Sequence, residues 1–68
     1  MQLTINGQPK NFEFDKPGTI AALLEQLGVD AATVVAEIDG QIIERAKFAS
    51  TILSGGQRVE LIRFVGGG

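Results

Sequence analysis

The sequence predicts an α+β fold, with a mixed sheet of four to five strands and one main helix on one face. Two observations predict it. Apolar and polar residues alternate near both ends of the chain and in its middle, which is typical of strands with one covered face. A single stretch, residues 20–27, repeats its apolar residues with the period of a helix. Because one helix covers one face of a sheet, we expect the other face to stay open.

An N-terminal hairpin is predicted for residues 1–15. Apolar residues alternate with polar ones on both sides of Asn6-Gly7, a pair that tolerates the positive φ angles of a two-residue turn. Pro9 is expected at the start of the second strand, where a missing N–H is tolerated. The side chains expected to face the core are Leu3, Ile5, Phe12 and Phe14.

The helix is predicted to begin after Thr19 and to end before Gly28. Pro17-Gly18 breaks the preceding pattern, and a threonine hydroxyl can cap the first turn. Glycine is favoured directly after a helix because it adopts the left-handed conformation without strain. The apolar face is formed by residues spaced i, i+3, i+4 and i+7, namely Ile20, Leu23, Leu24 and Leu27.

The second half of the chain contains three further predicted strands, at residues 34–38, 41–43 and 58–64. Asp39-Gly40 predicts the turn between the first two of them. Residues 45–53 are expected to form a loop with a turn of helix. Three apolar side chains of this loop are expected to enter the core: Phe48, Ile52 and Leu53.

The order of elements is strand, strand, helix, strand, short strand, strand. The first and last strands are separated by the whole chain and can pair in parallel at the centre of the sheet. This is the β-grasp arrangement of ubiquitin-like proteins. A ferredoxin-like fold is the alternative, but it needs a second helix, and the sequence has no second amphipathic run.

The open face of this sheet is predicted to carry an apolar patch. In the last strand, Val59 and Leu61 would face the helix, so Ile62 and Phe64 would face the other way. Val35 is expected on the same side. Charged residues surround these positions, and such a patch marks a protein-docking site more often than chance. The alternative is a second small core packed under residues 45–53.

Composition limits the possible functions. The chain has 68 residues, a net charge of −2, no cysteine and no histidine. Disulfides, thiol chemistry, zinc sites and histidine-based triads are therefore not expected. The basic residues are scattered, which argues against nucleic-acid binding. No apolar run predicts a membrane span and no signal peptide is visible, so the expected location is the cytoplasm.

The sequence ends in Gly66-Gly67-Gly68, and we expect residues 1–64 to form the domain and 65–68 a flexible tail. The tail has three interpretations: a frayed end, a leftover linker, or a substrate segment that enters a narrow active site. Glycine suits the third because it has no side chain to block a slot. Three extended residues reach about 10 Å, which would carry the Gly68 carboxylate away from the domain. That carboxylate becomes reactive only when it is activated, for example by adenylation.

Ordering four tail residues in a partner's active site would cost roughly 4–8 kcal/mol, at about 1–2 kcal/mol each. The tail alone cannot supply this free energy. Burial of Ile62 and Phe64 at about 1.5–3 kcal/mol each would offset much of it. The patch and the tail therefore support a single hypothesis, in which the domain docks through its open face and delivers its terminus.

Four stretches carry a resemblance to a known family: residues 3–7 (LTING), 19–24 (TIAALL), 35–43 (VAEIDGQII) and 59–68 (VELIRFVGGG). The first two are weak motifs, whereas the last is specific. Over nearly its whole length the chain resembles the ThiS-type sulfur carriers of thiamine biosynthesis, within the ubiquitin-like β-grasp superfamily.

The resemblance implies a mechanism. An activating enzyme would use ATP and magnesium to adenylate the Gly68 carboxylate, with Gly66 and Gly67 recognised as part of the tail. A persulfide sulfur from a cysteine desulfurase route would replace AMP, and thiazole synthase would take the sulfur from the resulting thiocarboxylate. The chain would be a protein co-substrate that binds no cofactor itself, and Val35, Ile62 and Phe64 would dock its partners.

Three alternatives remain. The small subunit of molybdopterin synthase also carries a thiocarboxylate, but those chains are typically longer, whereas Phe64-Val65 before three glycines favours the thiamine pathway. A ubiquitin-like modifier would be joined to lysines through the same tail. A passive interaction module would have an inert tail.

Overall fold

The computed structural model describes residues 1–15 and 17–64, and these form a five-stranded sheet with one α-helix and two short 3₁₀ helices. The strands are β1 (Gln2–Ile5), β2 (Gln8–Asn11), β3 (Val34–Ile38), β4 (Gln41–Ile43) and β5 (Arg58–Arg63), and the helix α1 is Ile20–Leu27. The sheet order is β2-β1-β5-β3-β4. β1 and β5 pair in parallel and the other neighbours are antiparallel. The predicted β-grasp fold is confirmed.

Two tight turns fix the registers of the hairpins. Asn6 and Gly7 have φ angles of 48° and 83°, and Asp39 and Gly40 have 49° and 85°. Positive φ at both central residues defines the turn whose twist matches that of paired strands. These turns set Ile5 opposite Gln8 and Ile38 opposite Gln41.

The second strand lies earlier in the chain than predicted. The turn at Asn6-Gly7 places Gln8–Asn11 opposite β1, so Pro9 lies within β2 rather than at its start, and the strand ends before Phe12. Pro9 is accommodated because β2 is an edge strand. Phe12 is nevertheless buried, while Phe14 is half-buried and its ring stacks on Phe12 at 6.2 Å between centroids.

Helix α1 has the predicted ends. The Thr19 hydroxyl accepts a hydrogen bond from the Ala22 N–H at 3.1 Å, and Gly28 closes the helix with φ of 69°. Three residues of the predicted apolar face are buried and Leu27 is half-buried at its end. α1 has eight residues, and within residues 1–15 and 17–64 the structure contains no helix that could span a membrane.

Residues 45–53 contribute two side chains to the core, not three. They begin with the 3₁₀ helix Arg45–Lys47 and a turn at residues 48–50. Residues 51–53 then lie beside the start of α1, where the Leu53 N–H donates to the Gly18 carbonyl at 2.7 Å. Phe48 and Leu53 are buried as predicted. The prediction for Ile52 was wrong, because side chains alternate along an extended segment and Leu53 takes the inward position. Ile52 is 61% exposed.

Gly18 is required by a close approach rather than by its backbone angles. A Cβ at this position would lie 2.7 Å from the ring of Phe14. The glycine therefore lets the phenylalanine close over the beginning of the helix, where it packs against the core.

Candidate functional site

The last described strand runs through the centre of the sheet. β5 lies between β1 and β3. Beyond the strand, the Phe64 N–H donates to the Thr33 carbonyl at 3.1 Å. Phe64, the last described residue, is therefore bonded to the β3 side of the fold. We call residues 61–64 the exit segment.

The two faces of β5 have opposite environments, as predicted. Val59 is fully buried and Leu61 packs against the core. On the other face Ile62 is 48% exposed, and Phe64 beyond the strand is 49% exposed. Aliphatic and aromatic side chains of this size contribute free energy when a partner removes the rest of their surface from water.

The apolar area extends across the sheet. Val35 lies directly opposite Ile62 in the β3–β5 register and is half-buried. On the edge strand β4, Ile42 lies opposite Glu37 and is 66% exposed. Ile42 shares this face because its neighbour Ile43 pairs with the buried Ala36 on the helix side. The open-face patch is Val35, Ile42, Ile62 and Phe64.

Ile42 was not among the predicted docking residues. The alternation in the short strand 41–43 was too brief to show which of two adjacent isoleucines faces outward. The alternative of a second core beneath residues 45–53 is wrong. Phe48 and Leu53 belong to the main core, and the exposed Ile62 and Phe64 have no such cover.

An acidic pair lies beside the patch. Glu37 and Glu60 are directly opposite each other in the β3–β5 register, on the face that carries Ile62. Like charges at directly opposed positions destabilise a sheet. A cationic side chain of a partner placed over this pair would relieve the repulsion, so the pair itself favours contact with a basic group.

Side chains from both hairpin turns bind the backbone of β5, and no pattern in the sequence predicts these contacts. The Leu61 N–H donates to Oδ1 of Asn6 at 2.7 Å, and Nδ2 of Asn6 donates to the Leu61 carbonyl at 3.3 Å. At the other end of the strand, the Arg58 N–H donates to Oδ1 of Asp39 at 2.9 Å. Each turn residue thus binds the backbone of a strand that is distant in sequence.

A shallow cleft of about 210 Å³ adjoins the exit segment, between the end of α1 and the sheet. Its walls are mainly apolar, with the Asn6 amide and the Arg63 side chain among its polar groups. In the described part of the chain, no group of three or more His, Cys, Asp or Glu side chains could hold a metal ion. The arrangement of the described residues is therefore that of a mainly apolar binding surface beside the exit segment.

The predicted site of chemistry lies outside the described residues. Gly68 as the point of sulfur attachment, Gly66 and Gly67 as the recognised tail, and the division between a domain and a tail after residue 64 all remain predictions.

Comparisons with known proteins agree with this fold. The model of the ThiS family matches residues 3–68. Among solved structures, the thiamine biosynthesis protein (ThiS) of Geobacter metallireducens is 36% identical with a TM-score of 0.84, and the match covers 100% of both chains.

Among curated proteins, a thiazole synthase of Paramagnetospirillum magneticum is 37% identical over all 68 residues, but the chain spans only 20% of its length. The uncharacterized protein ycf40 of Porphyra purpurea is 31% identical over 68 residues, which are 93% of that protein. The resemblance noted from the sequence is confirmed, since family model, fold and identity agree over nearly the whole chain. The chain belongs to the ThiS family.

Proposed function

We propose that this chain is a sulfur carrier of thiamine biosynthesis, which holds sulfur as a thiocarboxylate at Gly68 and delivers it to a thiazole synthase. The observation that carries the proposal is the agreement in sequence and fold with the thiamine biosynthesis protein of Geobacter metallireducens along the full length of both chains. In this role the chain is a co-substrate consumed and regenerated in each cycle, not a catalyst.

The proposed chemistry takes place on the terminal carboxyl group. An activating enzyme, using ATP and magnesium, joins the Gly68 carboxylate to AMP and releases pyrophosphate. The terminal sulfur of a protein persulfide, derived from a cysteine desulfurase, attacks the acyl carbon and AMP leaves. A thiol then reduces the remaining sulfur–sulfur bond, and the carrier leaves as a thiocarboxylate. The proposal requires Gly68 to carry a free carboxyl group.

Docking through the open-face patch makes delivery of the tail energetically feasible. Ordering residues 65–68 would cost roughly 4–8 kcal/mol. Ile62 and Phe64 are already about half covered, so their complete burial supplies only about half of the usual 1.5–3 kcal/mol each. Burial of Val35 and of the more exposed Ile42 would contribute further free energy toward the cost of ordering the tail. We therefore propose that partners cover the whole patch rather than the exit segment alone.

The proposed link to a thiazole synthase is supported by the domain content of one relative. In the thiazole synthase of Paramagnetospirillum magneticum, a stretch similar to this entire chain makes up 20% of the polypeptide. A carrier-like domain that is covalently part of a thiazole synthase would have its sulfur beside the acceptor at high effective concentration. For this chain we propose the same acceptor.

The test is an intact-mass measurement after incubation with the activating enzyme of a ThiS system, ATP, magnesium and a persulfide donor. We expect the mass to increase by one exchange of oxygen for sulfur, and fragmentation should place it on Gly68. Omission of the persulfide should leave an adenylate, which hydroxylamine should trap at the same carboxyl group.

The matched control is the chain without Gly68, which should fold normally and receive no sulfur. A covalent link to lysines of other proteins would instead identify a ubiquitin-like modifier. Transfer of sulfur only to a molybdopterin synthase large subunit would identify the sister pathway. No mass change with any activating enzyme would identify a passive module, and each of these three results contradicts the proposal.

A further inference from the structure

Strand β5 continues beyond the end of its parallel neighbour. The pairing of β1 with β5 joins Thr4 to Arg58 and Ile5 to Val59, and the last backbone bond runs from the Asn6 N–H to the Val59 carbonyl at 2.9 Å. At Asn6 the chain turns away toward β2. The N–H and C=O of Leu61 are the next backbone groups of β5 on the β1 side. Among the described residues, no strand residue pairs with them.

The side chain of Asn6 occupies the place of the missing strand residue. Its Oδ1 accepts from the Leu61 N–H at 2.7 Å and its Nδ2 donates to the Leu61 carbonyl at 3.3 Å. A primary amide has one acceptor and one donor group in the same plane, as a peptide unit does, so it can satisfy both backbone groups at once. An aspartate could accept from the N–H but could not donate to the carbonyl.

We propose that Asn6 is a positioning residue, which holds the exit segment in an extended conformation before any partner binds. The Asn6 amide fixes Leu61 on the β1 side, while the Phe64 N–H is fixed on the β3 side by the Thr33 carbonyl. Ile62 lies between the two anchored residues, and Phe64 is itself anchored through its N–H. Both side chains are therefore held on the open face. Part of the ordering required for docking has thus taken place in the free protein.

Asp39 provides a matched comparison. It occupies the corresponding position of the other hairpin turn, has nearly the same φ angle, and also binds the backbone of β5 through its side chain. Its partner is Arg58, at the beginning of the strand and far from the exit segment. Loss of the Asp39 side chain should therefore affect the fold in a similar way without freeing the exit segment.

The test compares Asn6→Gly with Asp39→Gly, because glycine accepts the positive φ angles of both turns and removes only the side chain. Amide hydrogen exchange is measured residue by residue, with Thr4, whose N–H donates to the Gln57 carbonyl between β1 and β5, as the reference amide of the sheet interior. We expect Asn6→Gly to speed exchange at Leu61 by about tenfold relative to Thr4, as the loss of one short and one longer hydrogen bond predicts. Asp39→Gly should leave that ratio unchanged.

The second measurement is the activation kinetics, and this arm rests on the proposed function. The partner re-forms the extended exit segment when it docks, so Asn6→Gly should raise KM for the carrier about fivefold and leave kcat within about twofold. Asp39→Gly should leave both unchanged. Asn6→Asp, which retains the acceptor for the Leu61 N–H, should give intermediate exchange and an intermediate KM, and it serves in place of the glycine variant if that one folds poorly.

Unchanged exchange at Leu61 in Asn6→Gly would overturn the proposal, as would equal increases of KM in Asn6→Gly and Asp39→Gly. A fall in kcat with KM unchanged would also contradict it, since the segment would then matter after docking. If the wild-type chain is not activated at all, the proposed function fails, while the exchange data still decide whether Asn6 orders the exit segment.

Discussion

The two faces of the sheet have different environments, although they are built from the same strands. On the helix side, every second residue of β1, β3 and the first half of β5 is buried. On the other side, β3 and β5 present partly exposed apolar residues and an acidic pair. Val59 is completely buried, whereas Ile62, three positions later in β5, is 48% exposed. The apolar core lies on the helix side of the sheet, so the apolar side chains of the other face remain accessible to a partner.

The largest loss of stability is expected for a substitution on the covered face. Leu3 is fully buried against the helix. Leu3→Ala should reduce the free energy of unfolding by about 2–5 kcal/mol, which approaches the roughly 3–5 kcal/mol expected for a domain of this size. Urea unfolding measures the loss. Val35→Ala on the open face is the control and should lose less than half as much; equal losses would mean that both faces support the fold.

A smaller effect is expected where a helix-side contact is tight. Gly18→Ala brings a Cβ to within 2.7 Å of the Phe14 ring unless the ring moves, and we expect a loss of about 1–3 kcal/mol. Gly55→Ala is the matched control, because a Cβ there meets nothing within 4 Å and the backbone is not in the positive-φ region. Thermal unfolding of both variants should show a lower Tm for Gly18→Ala alone.

Changes on the open face should separate docking from stability. Ile62→Asp should weaken binding to the activating enzyme by about tenfold, the effect of losing roughly 1.4 kcal/mol of apolar burial. Ile52→Asp is the matched control, because Ile52 is even more exposed but lies in the segment beside α1. Calorimetric titration measures the dissociation constants of both variants. Equal weakening by both variants would show that the patch has no special role.

The smallest expected effect concerns the acidic pair. Glu60→Gln removes the repulsion from Glu37 and should stabilise the domain by about 0.2–1 kcal/mol at neutral pH. The same change should weaken docking if the partner surface is basic. Glu13→Gln, in the exposed segment after β2, is the control for removal of a charge. A lower stability of Glu60→Gln than of Glu13→Gln would argue against repulsion across β3 and β5.

Local patterns in the sequence predict most of the fold, because turns and amphipathic periods act over a few residues. The turn at Asn6-Gly7, the helix and its caps, and the parallel pairing of the terminal strands are all confirmed. The second strand was placed too late because alternation alone does not set a register. The Asn6–Leu61 bonds could not be predicted, since they join residues 55 positions apart through a side chain.

The candidate site was predicted in part for the same reason. The outward direction of Ile62 follows from alternation in a long strand and is confirmed by its exposure. Ile42 was missed because β4 has only three residues. The error at Ile52 arose because an irregular segment has no period from which to assign an inward side, and its alternation appears only once the backbone bonds to Gly18 and Ile20 are known.

The central claim, that partners bind the open face and exit segment, is tested most directly by amide NMR of the labelled chain during titration with the proposed activating enzyme. At substoichiometric enzyme, line broadening should be strongest at Val35, Ile62 and Phe64 and weakest on the exposed side of α1, at Glu25 and Gln26. Broadening centred on α1, with the β5 signals unaffected, would contradict this account.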